Sequence, residues 1–182
     1  MATGFGMMTG RRKTQSFRKT GSAAGTKRVL KRNEGRESNM AYSEDFNKAE
    51  RIAAAAHTGA VDKSGKPYIE HPERVAAWVK EPREKVVAWL HDVVEDTDVT
   101  LADIEREFGP ETAAAVNAIT HRKDEPWADY LMRVKSNEIA RTVKIADLID
   151  NSNLSRLTEV RPKDVKRQAK YNRALYFLMN VE

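Results

Sequence analysis

The chain has 182 residues, long enough for one domain with a real apolar core, and a formal net charge of +5. It contains no cysteine, which excludes disulfides and thiolate metal sites. Its apolar runs fall far short of the roughly 18 residues a membrane span requires, and its start lacks the charged and apolar segments of a secretory signal, so a cytoplasmic protein with no membrane partner is expected.

The positive charge is concentrated at the start. Residues 1–40 carry ten Lys/Arg against two acids, Glu34 and Glu37, which leaves residues 41–182 at net −3. This stretch is rich in Gly, Ser and Thr and has little apolar periodicity, so it is expected to be a basic, disordered extension. It reads either as an arm for nucleic acid or an anionic surface, or as an upstream extension with Met40 as the natural beginning. Any nucleic-acid contact is expected from this arm alone. Residues 41–182 form the expected domain.

Ser43 is placed to N-cap a first helix with Glu44 and Asp45 in its first turn and Phe46, Ala49, Ile52, Ala53 and Ala56 on its apolar face. His57-Thr58-Gly59 ends it, and a polar loop from Asp62 to Pro67 follows. Pro72 suits the first position of a second helix with Val75, Ala76 and Val79 inward. Pro82 opens a third, whose face is Val86, Val87, Leu90 and Val94. Thr100 and Asp103 form a capping-box pattern ahead of Leu101, Ile104 and Phe108. Gly109-Pro110 stops that helix and starts the next, which ends near Thr120. Further helices are expected over about Trp127 to Lys135, through Ile139, Val143, Ala146 and Ile149, and from Pro162 onward with Val165, Ala169, Leu175 and Leu178 inward. No strand-period alternation competes, so the expected class is all-α, a compact multi-helix bundle.

Chemistry-bearing residues stand out against this pattern. His91-Asp92, inside Trp89-Leu90-His91-Asp92-Val93-Val94-Glu95-Asp96-Thr97, offers a metal ion one nitrogen and one oxygen. On a continuous helix Glu95 would share their face. Asp147 interrupts the apolar stretch around Val143 and Ile149, and a buried carboxylate needs a partner, either a metal or Lys144 one turn earlier. His71 stands before Pro72, where it is a candidate ligand or a cap for the helix that follows.

Three ordered motifs carry a resemblance. The stretch from Ala56-His57-Thr58-Gly59 through Asp62-Lys63-Ser64-Gly65-Lys66-Pro67-Tyr68-Ile69-Glu70-His71-Pro72 resembles the opening motif of the HD-domain hydrolases of the guanosine tetra- and pentaphosphate alarmones, signals of the stringent response. These comprise the hydrolase domain of the RelA/SpoT-type enzymes and small stand-alone relatives. Leu90 to Thr97 resembles the second motif, and Val143-Lys144-Ile145-Ala146-Asp147 with Asn151 the third. The resemblance implies an HD-domain bundle and one divalent metal, Mn²⁺ in the family, held by His71, His91, Asp92 and Asp147. It implies that Glu95 and Asp96 manage the proton of the attacking water, and that Lys63 and Asn151 contact the nucleotide substrate. His57 is implied to line the site or brace the following loop, with contact to the last-turn carbonyls of its own helix as the alternative, and Tyr68 is expected to pack that loop, or else to face the ligand. The reaction implied is removal of the 3′-pyrophosphate.

Departures bear on the substrate. Ala60 and Asp62 stand where the family usually has Gln and Arg, and a carboxylate does not replace a planar cation on a base. Leu154 stands where Thr is common. His121-Arg122-Lys123 reads either as a rebuilt phosphate-binding edge or as a solvated turn. An HD-domain hydrolase of another phosphorylated nucleotide, or a non-catalytic nucleotide- or metal-binding module, therefore remains open. The oligomeric state is not encoded in any motif.

Overall fold

The structure, a computed structural model, describes Met1 and residues 42–180. The expectations for the basic extension fall on residues outside that description. The described segment runs α1 (42–56), α2 (Glu70–Trp78), α3 (Pro82–Leu90), the single turn α4 (Val93–Asp96), α5 (Leu101–Ile119), α6 (Trp127–Lys135), α7 (Glu138–Ser152), a 3-10 turn (Leu154–Arg156) and α8 (Pro162–Met179). Among the described residues the one strand-like pairing is an isolated bridge, Val61 with Pro67, so the all-α class holds. No described helix is long and apolar enough to cross a membrane.

Helix α7 organises the bundle, packing against α2, α3, α5, α6 and α8. Its Ala140, Val143 and Ala146 enter a core cluster that α1, α2, α3 and α5 complete with Ala49, Ala53, Val75, Val87, Leu90 and Val116, among others. Its Leu148 enters a second cluster with Tyr130, Leu131 and Val134 of α6 and Ala174 and Leu178 of α8. Small and β-branched residues on α7 let neighbouring helices approach closely, and burial of the facing Leu and Val side chains drives the assembly. Tyr130 is fully buried and donates its hydroxyl to the Ile119 carbonyl at 2.6 Å, which satisfies its polar end.

The capping box at Thr100 and Asp103 forms as expected, with Asp103 N–H donating to the Thr100 hydroxyl at 3.2 Å and Thr100 N–H to Asp103 Oδ2 at 3.0 Å. Gly109 lies at φ 81°, ψ 171°, a conformation open essentially to glycine alone, and kinks α5 where a stop and a restart were expected.

Four local expectations change. The first helix is already formed at residue 42, so Ser43 lies within it and not ahead of it. Helix α2 begins at Glu70 with Pro72 third, which costs nothing because first-turn N–H groups have no intrahelical acceptor. The third helix ends at Leu90, and a turn at His91-Asp92 separates it from α4, so His91, Asp92 and Glu95 do not ride one continuous helix. On α8 Leu178 is buried and Leu175 partly so, as expected, but Val165 and Ala169 are exposed, and Asp164 and Ala174 are buried in their place, with Tyr171 partly buried beside them. Asp164, the N3 residue of the capping box, also pairs with Arg167 one turn later on the same helix at 3.0 Å.

Candidate metal centre and the cleft beside it

His71, in the first turn of α2, His91 and Asp92, in the turn after α3, and Asp147, on α7, converge. His71 Nε2 lies 3.1 Å from Asp147 Oδ1 and 3.7 Å from Asp92 Oδ2. His91 Nε2 lies 2.9 Å from Asp92 Oδ2 and 3.8 Å from Asp147 Oδ1. Ligands at about 2.1 Å from one ion stand about 3.0 Å apart at right angles and about 3.4 Å apart at the tetrahedral angle, so these separations suit a shared cation. Both histidines and Asp147 are buried, and Asp92 is partly so. The three buried groups each offer a ligand atom within 4.8 Å of the others.

The other ring nitrogens are occupied. His71 Nδ1 donates to Asp150 Oδ2 at 2.7 Å, and His91 Nδ1 to the Ala88 carbonyl at 2.7 Å. Both Nε2 atoms are thereby directed at the cluster, the usual arrangement of metal-binding histidines. His91 Nε2 is buried and, although 2.9 Å from Asp92 Oδ2, makes no well-directed hydrogen bond among the described residues, so it is free to meet a cation. The donor set of two imidazoles and two carboxylates fits a borderline-hard divalent metal.

Of its two expected partners, a metal or Lys144, Asp147 meets Lys144 directly. Lys144 Nζ sits 2.8 Å from Oδ2, while Oδ1 faces His71 and also accepts from the Asn151 side chain. Burial pushes the Asp147 pKa up, but Lys144 and the two histidines outweigh it and hold the carboxyl far below its usual range. Asp92 is likewise held low despite burial, chiefly by His91. For His71, burial favours the neutral ring, yet hydrogen bonds to Asp147 and Asp150 push its pKa up to about 9.

Tyr68 does more than pack the loop. Its hydroxyl donates to Asp92 Oδ2, and burial together with the Asp92 charge pushes its pKa up, so it remains a donor. His57 is buried with its ring centroid 4.8 Å from that of Tyr68, and desolvation lowers its pKa, leaving a neutral brace outside the ligand set. Glu95 Oε2 accepts from the His121 backbone N–H at 2.8 Å. Burial raises the Glu95 pKa, with Asp92 adding to the effect against that backbone bond. Asp96 is raised for the same two reasons, burial and then Asp92.

A cavity of about 240 Å³ opens beside His71, with Lys63, Tyr68, Asn151, Arg156 and Arg167 on its walls. Burial and the nearby Arg167 lower the Lys63 pKa. Asp62 folds the loop by accepting from the Ser64 and Lys66 N–H groups at 2.7 and 3.0 Å. The His121–Lys123 segment contributes nothing to these walls. It is a braced turn in which the His121 ring packs on Tyr130 and Trp127 and Arg133 bonds both Glu125 and the end of α5.

Three polar residues around His71 carry no signal in the motifs: Asp150, Arg74 and Arg156. The one available clue was Asp150's position three residues past Asp147, which puts both acids on one face of α7.

The family profile of the HD domain matches residues 49–142. The chain is 34% identical over 125 residues to a protein of Synechocystis sp. named probable guanosine-3′,5′-bis(diphosphate) 3′-pyrophosphohydrolase, covering 59% of this chain and 16% of that one. It is 31% identical over 140 residues to the guanosine-3′,5′-bis(diphosphate) 3′-pyrophosphohydrolase of Vibrio cholerae, covering 69% of this chain and 20% of that one. The chain thus spans a fifth or less of these relatives. A solved structure described as a metazoan ortholog of SpoT that hydrolyzes ppGpp shares the fold, with a TM-score of 0.62 at 24% identity over 74% of this chain and 84% of that one.

Proposed function

The chain belongs to the HD-domain family, and from that footing we propose that residues 41–182 form a metal-dependent phosphohydrolase that removes the 3′-pyrophosphate from guanosine tetra- or pentaphosphate. The observation that carries the reading is the convergence of two Nε2 atoms and two carboxylates beside a cavity with cationic walls. The names of the relatives supply the substrate.

In this reading His71, His91, Asp92 and Asp147 hold one divalent ion; the mixed nitrogen and oxygen donors suit a borderline-hard cation, and Mn²⁺ is taken from the resemblance to the alarmone hydrolases. Such an ion supplies Lewis acidity to a phosphate oxygen and lowers the pKa of water. The chain's own residues do the rest. Lys144 and Asn151 fix the Asp147 carboxylate, and Tyr68 fixes that of Asp92. Glu95, its proton affinity raised by burial, accepts the proton of the attacking water, and Asp96 passes it toward solvent. Lys63 and Asn151 hold the ligand's phosphates and sugar, and His57 braces Tyr68 at the cavity edge.

One observation favours a second reading. Asp62 lies 3.7 Å from Arg156 at the cavity wall, a carboxylate where the alarmone hydrolases carry a base-contacting cation, and this suits a different phosphorylated nucleotide.

The test is pyrophosphate release with added Mn²⁺ from guanosine tetraphosphate, its adenosine analogue and ordinary nucleotides. The guanosine compound is expected to turn over fastest; a faster adenosine analogue selects the second reading. His91→Ala is expected to lose metal and activity, and Glu95→Gln to keep metal and lose activity. Turnover of none of these compounds would refute the hydrolase reading, and equal rates for wild type and Glu95→Gln would remove that residue from the mechanism.

A further inference from the structure

Asp150 is a buried carboxylate whose partners come from three directions. Its Oδ2 accepts from His71 Nδ1 at 2.7 Å. Arg74 donates to both oxygens, through Nε at 2.8 Å and Nη2 at 3.2 Å. Arg156 Nη2 donates to the Asp150 carbonyl at 2.7 Å and stands 3.3 Å from Oδ2. Arg74 alone neutralises this carboxylate, because its planar fork already engages both oxygens. Arg156 is therefore surplus to charge balance, and its role lies in what else it touches. Its backbone carbonyl accepts from the Ser64 hydroxyl at 2.8 Å, and its Nη1 lies 3.7 Å from Asp62. It also forms part of the cavity wall.

We propose that Asp150 and Arg156 are a positioning couple: Asp150 sets the ring of His71, Arg156 sets Asp150 and the 62–66 loop together, and the grip of the cluster on a metal depends on a side chain at the wall of the ligand cavity. The proposal rests on the reading that the cluster holds a metal. A ligand that draws Arg156 away from Asp150 acts on the orientation of His71 through two contacts, Arg156 with Asp150 and Asp150 with His71.

The sign of one effect separates this couple from simple electrostatics. Removing the Arg156 cation strengthens binding of a divalent cation if only through-space charge matters. It weakens binding if Arg156 orients Asp150 and so His71, since outer partners of metal-binding histidines are typically worth about 10–100-fold in affinity. The experiment is an Mn²⁺ titration of the full chain at fixed pH, read by the spin resonance of free Mn²⁺, with circular dichroism as a check on folding. Arg156→Gln is expected to bind several-fold more weakly than wild type. Arg156→Lys keeps the charge but loses the fork, and is expected to remain weaker than wild type as well. Asp150→Asn is expected to lose about 10–100-fold. Arg167→Gln, on the same cavity wall but paired with Asp164, is expected not to weaken binding. Arg156 is partly exposed, so its variants keep the test open even where Asp150→Asn fails to fold. Arg156→Gln binding as tightly as wild type, or more tightly, overturns the couple and leaves the hydrolase reading standing. Wild type that binds no Mn²⁺ overturns both.

Discussion

Raising the pH from 6.5 to 8.5 should tighten metal binding steeply. In the metal-free protein His71 holds a proton between its Nε2 and Asp147 Oδ1, 3.1 Å away, with a pKa near 9. Binding needs that lone pair, so the proton must leave. With a pKa of 9 the neutral fraction rises about 80-fold between pH 6.5 and 8.5, and Mn²⁺ affinity should follow it. His91, whose pKa is also raised because Asp92 and Asp147 outweigh its burial, steepens the dependence in the same direction. Asp92 and Asp147 are held low and contribute nothing in this range. Stability of the metal-free protein should move the opposite way. A pKa raised from 6.5 to about 9 contributes on the order of 3 kcal/mol, fully present below pH 6.5 and lost as pH rises through 9. The assay is an Mn²⁺ titration at pH 6.5, 7.5 and 8.5, paired with thermal melts of the metal-free and loaded protein. The gap between the two melting temperatures should widen with pH. An affinity that stays constant from pH 6.5 to 8.5 refutes the reasoning, because it means that His71 carries no proton to displace.

Three further outcomes test the scaffold. Leu90 is fully buried in the core directly before His91, and Leu90→Ala should cost about 2–5 kcal/mol in urea unfolding. Gly109→Ala should cost about 1–3 kcal/mol through backbone strain alone, since the added Cβ meets nothing within 4 Å; an unchanged melting temperature counts against the strained kink. Arg133→Met, which removes bonds to Glu125 and to the carbonyls ending α5, should cost about 1–3 kcal/mol. It should also lower the rate of any hydrolysis, since the turn it braces presents the His121 N–H to Glu95; a destabilised variant with an unchanged rate at saturating metal contradicts that link.

The helices were legible because apolar periodicity and punctuation agree through most of the domain. Pro82, the Thr100-Asp103 box and Gly109-Pro110 each mark a real boundary or kink. The break after Leu90 was not legible, because His91-Asp92 contains neither Gly nor Pro and the apolar pattern runs on through Val93 and Val94. The start of α8 is not legible, although its later Leu175 and Leu178 are, because Val165 looks like a core residue while the polar Asp164 beside it points inward to serve the helix start. The converging His71, His91, Asp92 and Asp147 were legible from three motifs. The ring of partners around them was not: Asp150, Arg74 and Arg156 are ordinary charged residues until the fold places one on α7, one on α2 and one in the 3-10 turn. The role of Tyr68 is hidden for the same reason, since an aromatic residue in a loop does not announce a hydrogen bond to Asp92.

Metal stoichiometry is the most direct test of the centre itself. Equilibrium binding of Mn²⁺ to the purified chain should saturate at about one ion per chain, and His71→Ala, His91→Ala and Asp147→Asn should each abolish that saturation. Saturable binding that survives all three substitutions, or none in the unaltered protein, contradicts the account.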